Sequence, residues 1–368
     1  MMTVREATID HLDVSAYRVA TDYPESDGTA EWDATTIVIV QASGGGRTGL
    51  GWTYGSPATA TLIESTLGEV VIGRDAMRVK AAWERMVVAC RNLGRPGVAS
   101  MAIAAVDTAL WDLKARILEL PLATLLDAVR ESVPVYGSGG FCSYPDGRLA
   151  EQLAGWVQQG IPRVKMKVGG NPARDLERVA VAREAIGPDT ELYVDANGAL
   201  SRARALWFAR RYVEDFDVRW FEEPVSSDDL AGLRFVRDRA PAGMDIAAGE
   251  YGYMLGYFER MLAAGAVTSC LQADVTRCEG ITGLLGVAAL CQARSLELSA
   301  HCGPSIHAHV CCAVPEFRHL EYFHDHVRLE RMLFDGVLEP ERGALRPDLN
   351  RPGNGLELKR ADAERYAI

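Results

Sequence analysis

The chain has 368 residues, 48% of them hydrophobic and 24% charged, which is enough to bury a large core without disulfides or a structural metal. Asp and Glu (50) outnumber Lys and Arg (39), and a formal net charge of −11 without a basic cluster argues against nucleic acid as a partner. The most apolar stretches, near Leu284–Cys291 and Val98–Trp111, are too short or too interrupted to span a bilayer, and Met1–Ile9 lacks the apolar run of a secretory signal. Length alone suggests two or three domains. The eight cysteines (90, 142, 270, 278, 291, 302, 311 and 312) form no CxxC pair, so they read as buried, reduced thiols of a cytoplasmic protein.

The first third reads as strands followed by helices. Residues 3–20 and 34–41 are rich in β-branched and aromatic residues, and Gly49–Tyr54 returns after the Gly44-Gly45-Gly46 turn. Thr21–Asp33, with Tyr23, Pro24, Gly28 and Trp32, reads as a long loop between the first two strands. Residues 58–66, 75–91 and 99–116 have helical apolar spacing, so this region is an α+β unit.

From about residue 134 the pattern alternates. Apolar runs at Pro134–Tyr136, Arg163–Val168, Glu191–Asp195, Arg219–Glu222, Asp245–Glu250, Cys270–Asp274, Leu296–His301 and Arg318–Phe323 predict eight strands. Helical stretches such as Ala173–Ile186, Arg202–Val213, Gly280–Ala293 and Ser305–Val314 separate them. Eight βα units suit a closed barrel better than an open sheet. After residue 325 the alternation stops, and Gly353–Glu357 reads as turn and tail.

The strand runs end on ionisable residues: Lys165 and Lys167, then Asp195, Glu222, Glu250, Asp274, His301 and Glu321. From Lys167 onward these are 20–28 residues apart, about one βα unit each. Barrel strands point their C-terminal ends at one mouth, so the series converges on one cavity. A single strand-end carboxylate is ordinarily a helix cap or a solvated residue; seven successive strand ends are not explained by capping alone.

Asp195, Glu222 and Glu250 offer three hard oxygen donors on adjacent strands, a set that favours Mg²⁺. Glu222 is preferred over Glu223, which strand alternation turns to the opposite face. Lys165 and Lys167 share a face, with Met166 on the other. One ammonium depresses its neighbour, so one lysine serves as a base while the other neutralises a substrate carboxylate. His301 stands across the barrel, with Asp274 placed to fix its tautomer. Two bases flanking a metal-bound carboxylate suit removal of an α-proton, which creates an enediolate. Glu321 is either a hydrogen-bond donor to that enediolate or a surface acid. Asn197 is either a substrate contact or the turn residue of Asn197-Gly198, and Ser138 either touches substrate or belongs to a glycine-rich turn. His307 and His309 read as packing or surface residues.

These residues resemble the enolase superfamily, within its mandelate racemase/muconate lactonizing subgroup. The resemblance covers nearly the whole chain and rests on Ala105–Lys114 (AVDTALWDLK), Val164–Val168 (VKMKV), Val194–Gly198 (VDANG), Trp220–Pro224 (WFEEP), Ala247–Glu250 (AAGE), Gln272–Asp274 (QAD), His301 and Glu321. It implies an α+β capping domain at residues 1–130, a modified (β/α)₇β TIM barrel at residues 131–325, and a segment at residues 326–368 that completes the cap. It makes Asp195, Glu222 and Glu250 the Mg²⁺ ligands, Lys167 one base, and His301 with Asp274 the other. Lys165 would bind the substrate carboxylate, and Glu321 would hydrogen-bond it; a Lys or His base working with Mg²⁺ is the superfamily's known device. The resemblance also implies a homo-oligomer, often an octamer. The leading activity is dehydration of a sugar acid to a 2-keto-3-deoxy acid. The alternatives are a racemase, epimerase or lactone cycloisomerase using the same site, and, from a different class, a catalytically lapsed binding protein. The Thr21–Asp33 segment, with Tyr23 and Trp32, is the expected specificity loop.

Overall fold

The computed structural model describes residues 7–368. Residues 3–6 of the expected first strand lie outside the described residues. Three antiparallel strands open the fold: β1 (Ile9–Ser26), β2 (Glu31–Gly44) and β3 (Arg47–Tyr54). The twenty-residue helix Val98–Ile117 lies across β3. Two glycines permit this close approach. A Cβ on Gly49 would sit 2.2 Å from the Leu113 nitrogen, and one on Gly51 would sit 2.2 Å from the Ala105 carbonyl. The facing helix positions Ala105 and Ala109 are small and fully buried.

The segment expected as a loop is instead a continuation of the hairpin. β1 runs on to Ser26 and β2 begins at Glu31, pairing Glu25 with Trp32 and Ser26 with Glu31 after an irregularity between Ala20 and Glu25. Only residues 27–30 turn. Asp27 Oδ1 accepts from the Thr29 and Ala30 amides at 2.6 and 2.7 Å, a side-chain turn that the composition of this stretch did not distinguish from a long loop.

Eight parallel strands follow: β4 (Val133–Gly139), β5 (Arg163–Lys167), β6 (Glu191–Asp195), β7 (Val218–Glu222), β8 (Asp245–Ala247), β9 (Cys270–Ala273), β10 (Glu297–Ala300) and β11 (Phe317–Phe323). Their order is β8-β7-β6-β5-β4-β11-β10-β9. The Gln272 amide donates to the Ala248 carbonyl at 3.0 Å across the seam, so the barrel is nearly closed. All eight expected strands are present, and the last is followed by a ten-residue helix, His324–Leu333.

The interior is layered by strand alternation. Tyr136, Tyr193, Trp220, Ala247 and Cys270 form a buried apolar cluster, with His319 packed against its rings. Asp195 and Glu222 lie two residues beyond Tyr193 and Trp220 on the same faces, so an aromatic floor supports the charged layer. Met166, between the two lysines, faces the apolar core outside the barrel.

After residue 334 the chain returns to the N-terminal sheet. Ala344–Leu345 pairs with β4, and the Ile368 amide donates to the Ala16 carbonyl at 3.1 Å. Asp112, fully buried on the long helix, accepts from the Leu50 amide (2.7 Å), Arg116 Nε (2.7 Å) and the Asn354 amide (2.5 Å). One carboxylate thus joins sheet, helix and tail. No helix among the described residues is long and apolar enough to cross a membrane.

Candidate active site

The strand ends converge as the spacing requires. A cavity of about 350 Å³ opens at the C-terminal mouth of the barrel. Lys167, Asn197, Glu250, His301 and Glu321 line it. Trp32 reaches it from the β1–β2 hairpin, with Thr35, Thr36 and Tyr54 from β2 and β3. Trp32 is fixed by an Nε1–H donated to Glu25 Oε2 (2.8 Å) and by edge contact with Phe141.

Below the cavity lies a dense ionic layer. Lys165 Nζ is fully buried, 2.7 Å from Glu222 Oε2, 2.8 Å from Glu321 Oε1 and 3.3 Å from Asp195 Oδ2. Its ammonium also stands 5.5 Å from the centre of the Tyr136 ring. Lys167 Nζ donates to Asp195 Oδ2 at 2.6 Å. Burial disfavours charge on both amines, but Glu222 and Glu321 outweigh it at Lys165, and Asp195 outweighs it at Lys167, so both pKa values are raised. Lys165 does lower Lys167, as the paired-lysine reading expects, but Asp195 wins because it is in direct contact. Lysine proximity alone therefore makes neither amine neutral.

His301 Nδ1 is 2.8 Å from Asp274 Oδ2. Thr276 donates to Asp274 Oδ1 through its amide (2.7 Å) and hydroxyl (2.8 Å), locking the carboxylate. His301 Nε2 faces Glu250 Oε2 at 2.7 Å. Burial opposes a charged imidazole, but the Cys302 sulfur, the Glu250 carboxylate and the Asp274 hydrogen bond raise His301 well above the ordinary histidine value.

Glu321 is not a surface acid. It is fully buried, and although burial pushes its carboxyl up, Lys165, His301 and Lys167 hold it well below the usual carboxylate range. Ser138 explains its orientation by donating Oγ–H to Glu321 Oε1 at 2.6 Å. Ser138 is itself fully buried, behind the cavity lining. Tyr23 does not line the cavity either. Its ring packs on Tyr144 and under Arg148, outside the cavity lining, because the β-hairpin turns it outward while Trp32 faces in. Lys165 likewise sits beneath the lining, enclosed by carboxylates.

Asn197 is the turn residue and also lines the cavity. Its φ of 43° makes the left-handed turn, and its Oδ1 is buried without a partner beside the cavity. His307 is structural: its Nδ1 donates to the Gly303 carbonyl (3.0 Å), and its Nε2 accepts from the Val275 amide (2.9 Å). His309 is buried in the helix Pro304–Cys311.

Glu223 departs from the alternation argument. Its φ of 38° breaks the strand, and its buried carboxyl is raised by desolvation and by Glu250 and Asp195. It therefore joins the acidic layer instead of facing away from it. Arg277, Tyr251, Cys302, Phe323 and His326 also line the cavity and were missed. All but Phe323 lie in loops or helices just beyond strand ends, where the period-2 signal stops.

The residues present fit a hard divalent cation. Glu222 Oε1 is buried with no partner, and burial, then the Asp195 charge, pushes the Glu222 carboxyl up to about 7. Asp195, Glu222 and Glu250 are the oxygen donors of this layer, held in this structure by Lys167, Lys165 and His301.

Two family models cover the chain. One, the mandelate racemase/muconate lactonizing enzyme N-terminal domain, matches residues 15–127; the other, the enolase C-terminal domain-like model, matches residues 148–363. A 3,6-anhydro-alpha-L-galactonate cycloisomerase of Streptomyces coelicolor is 33% identical, covering 98% of this chain and 99% of its own. The chain belongs to the enolase superfamily, in its mandelate racemase/muconate lactonizing branch. An L-talarate/galactarate dehydratase of Salmonella typhimurium is 32% identical over 84% of this chain and 78% of its own. Among solved structures, a mandelate racemase/muconate lactonizing enzyme-like protein from Rubrobacter xylanophilus superposes with a TM-score of 0.96 at 58% identity, covering 98% of this chain and all of that one. A Streptomyces coelicolor racemase with bound magnesium gives 0.91 at 30% identity, again covering 98% of this chain and all of that one. The protein is an enzyme of the superfamily's sugar-acid dehydratase and cycloisomerase kind.

Proposed function

We propose that the enzyme removes the proton α to the carboxylate of a sugar acid and then expels an oxygen from the β-carbon, giving a 2-keto-3-deoxy acid. The observation that carries this reading is the pair of proton carriers, Lys167 on β5 and the Asp274-supported His301 just beyond β10, facing one cavity above a carboxylate layer. Asp195, Glu222 and Glu250 would hold Mg²⁺, which neutralises charge developing on the substrate carboxylate. Lys167 Nζ, now 2.6 Å from Asp195 Oδ2, would serve as base at the α-carbon once that carboxylate is taken up as a metal ligand. His301 Nε2 then delivers its proton to the leaving oxygen, and Asp274 holds Nδ1–H so that Nε2 is the nitrogen presented. Ser138 and Lys165 orient Glu321 toward the reacting region. Trp32, Thr35 and Thr36 from the cap strands would select the substrate chain, with residues 326–368 bracing that cap.

Dehydration of an aldonate or aldarate is the first reading. The near full-length match to a cycloisomerase favours a second. In a 3,6-anhydro sugar acid the β-carbon carries a ring ether oxygen, so its expulsion opens the ring without loss of water. One screen separates them. The Mg²⁺-loaded enzyme is incubated with aldonic, aldaric and 3,6-anhydro sugar acids, and products are analysed by mass. A product lighter by one water supports dehydration, and a keto acid of unchanged mass supports ring opening. Solvent deuterium entering the α-carbon with neither product would favour a racemase or epimerase instead.

A further inference from the structure

Beyond the acidic layer, the cavity wall carries a second set of donors with different chemistry. His301, Cys302 and Glu321 are all buried, and their ligand atoms lie within 4.8 Å of one another. Cys302 Sγ is 3.2 Å from His301 Nε2 and 3.4 Å from Glu321 Oε2, and His301 Nε2 is 3.6 Å from Glu321 Oε2. A tetrahedral zinc ion with ordinary Zn–S, Zn–N and Zn–O bonds spaces such donors about 3.4–3.6 Å apart. The triangle in the protein matches those edges to within a few tenths of an ångström.

We propose that His301 Nε2, Cys302 Sγ and Glu321 Oε2 form a second metal site, selective for Zn²⁺ or a similar borderline-soft divalent ion, whose occupation inhibits the enzyme. Three features build it. Strand alternation would set neighbouring residues on opposite faces, but Cys302 has φ 52°, and this left-handed turn brings both side chains of the His301-Cys302 pair to the cavity. Asp274 engages His301 Nδ1 and leaves Nε2 as the ligand atom, the support that zinc-binding histidines generally have. Glu321 divides its oxygens: Oε1 is held by Ser138 and Lys165, while Oε2 faces the sulfur and the imidazole.

The donor set separates this site from the acidic one. Thiolate and imidazole favour Zn²⁺ over Mg²⁺, whereas three carboxylates favour Mg²⁺. Both ions can therefore be held at once, in one cavity. Zinc capture displaces the thiol proton, and any proton on Nε2, to solvent. It also parts Nε2 from Glu250 Oε2, which now lies 2.7 Å away. The fourth position faces the cavity, where water or a substrate oxygen completes the tetrahedron. His301 then no longer carries a proton, so turnover stops although Mg²⁺ remains bound.

The experiment uses Co²⁺ as a visible stand-in and does not require a substrate. Co²⁺ is titrated into full-length protein kept at saturating Mg²⁺. One equivalent is expected to produce a thiolate-to-cobalt charge-transfer band and the intense visible bands of tetrahedral cobalt, and added Zn²⁺ is expected to bleach both. Cys302→Ser should abolish the charge-transfer band. Cys142→Ser, which alters a half-buried thiol outside the triangle, should retain it. Glu321→Gln should keep the band but weaken binding at least about tenfold, and this holds the test open if Cys302→Ser does not fold. Absence of the band in the unmodified protein, or its survival in folded Cys302→Ser, overturns the site. Because the readout is spectroscopic, failure of the proposed reaction leaves the result standing. Once a substrate is identified, Zn²⁺ inhibition that excess Mg²⁺ does not relieve is the expected kinetic counterpart, and relief by excess Mg²⁺ would refute a separate site.

Discussion

Replacing Asp274 by Asn takes a negative charge from beside His301 while keeping the shape of the side chain. Asp274 Oδ2 is 2.8 Å from His301 Nδ1, and both groups are buried. With charge centres about 4 Å apart and an effective dielectric near 20, their attraction is about 4 kcal/mol, or about three pKa units. Removing an anion destabilises the imidazolium, so the pKa of His301 falls. Cys302 and Glu250, the latter still 2.7 Å from Nε2, retain part of the support, so the fall is smaller than the bare attraction implies. The assay is an NMR titration of the imidazole ring resonances in the unmodified protein and in Asp274→Asn, which needs no substrate. Turnover on the substrate found by the screen should fall about 10²–10⁴-fold, the usual worth of a positioned general acid or base. A His301 pKa that moves by less than about one unit, together with unchanged turnover, would refute the dyad.

Three further outcomes follow from buried groups elsewhere. Asp112→Ala removes the buried partner of Arg116 Nε, leaving that guanidinium with Glu357 and the Leu356 carbonyl, and leaves the Leu50 and Asn354 amides without their acceptor, so stability should fall by about 3–5 kcal/mol. For a chain of this length that is a drop of roughly 4–6 °C in Tm, measured by calorimetry. Glu330 is held by Ser305 and Tyr54 under the cavity rim, and burial pushes its carboxyl up to about 7. Its folded value exceeds the unfolded one of 4.5, so the folded state binds the proton more tightly, and stability is lost as pH rises from about 4.5 to about 7, by roughly 3 kcal/mol. Glu330→Gln should flatten this slope in urea midpoints measured at pH 5 and pH 8; an unchanged slope would place the dependence elsewhere. Glu222→Gln should weaken Mg²⁺ binding by about a hundredfold in calorimetric titration, while the metal-free variant unfolds at no lower temperature, because Glu222 stands buried against Asp195.

The site was legible because the barrel repeats. Strands of five residues ending on Lys167, Asp195 and Glu222, one βα unit apart, need only the shared direction of parallel strands to meet at one mouth. The pairing of His301 with Asp274 followed from adjacent strands at a spacing of one unit. Residues beyond the strand ends escaped this logic. Arg277, Cys302 and His326 reach the cavity through helices and turns whose direction no period encodes. Cys302 and Glu223 enter the site only because their backbones turn left-handed, at φ 52° and 38°, which nothing in the chemistry of a cysteine or glutamate announces.

By itself the sequence determined the barrel, the charged layer and its likeness to a family, since these rest on local periodicity and residue type. The tertiary structure decided the charge balance of that layer. Two adjacent lysines read as mutually depressing, yet both are raised, because Asp195, Glu222 and Glu321 arrive from other strands at contact distance. It also decided which face of the hairpin meets substrate. Trp32 points into the cavity and Tyr23 away from it, because the register of β1 on β2, with its irregularity after Ala20, fixes the facing of every residue in the arm. Charge balance and strand register are both sums over residues distant in sequence, and only folding brings those terms together.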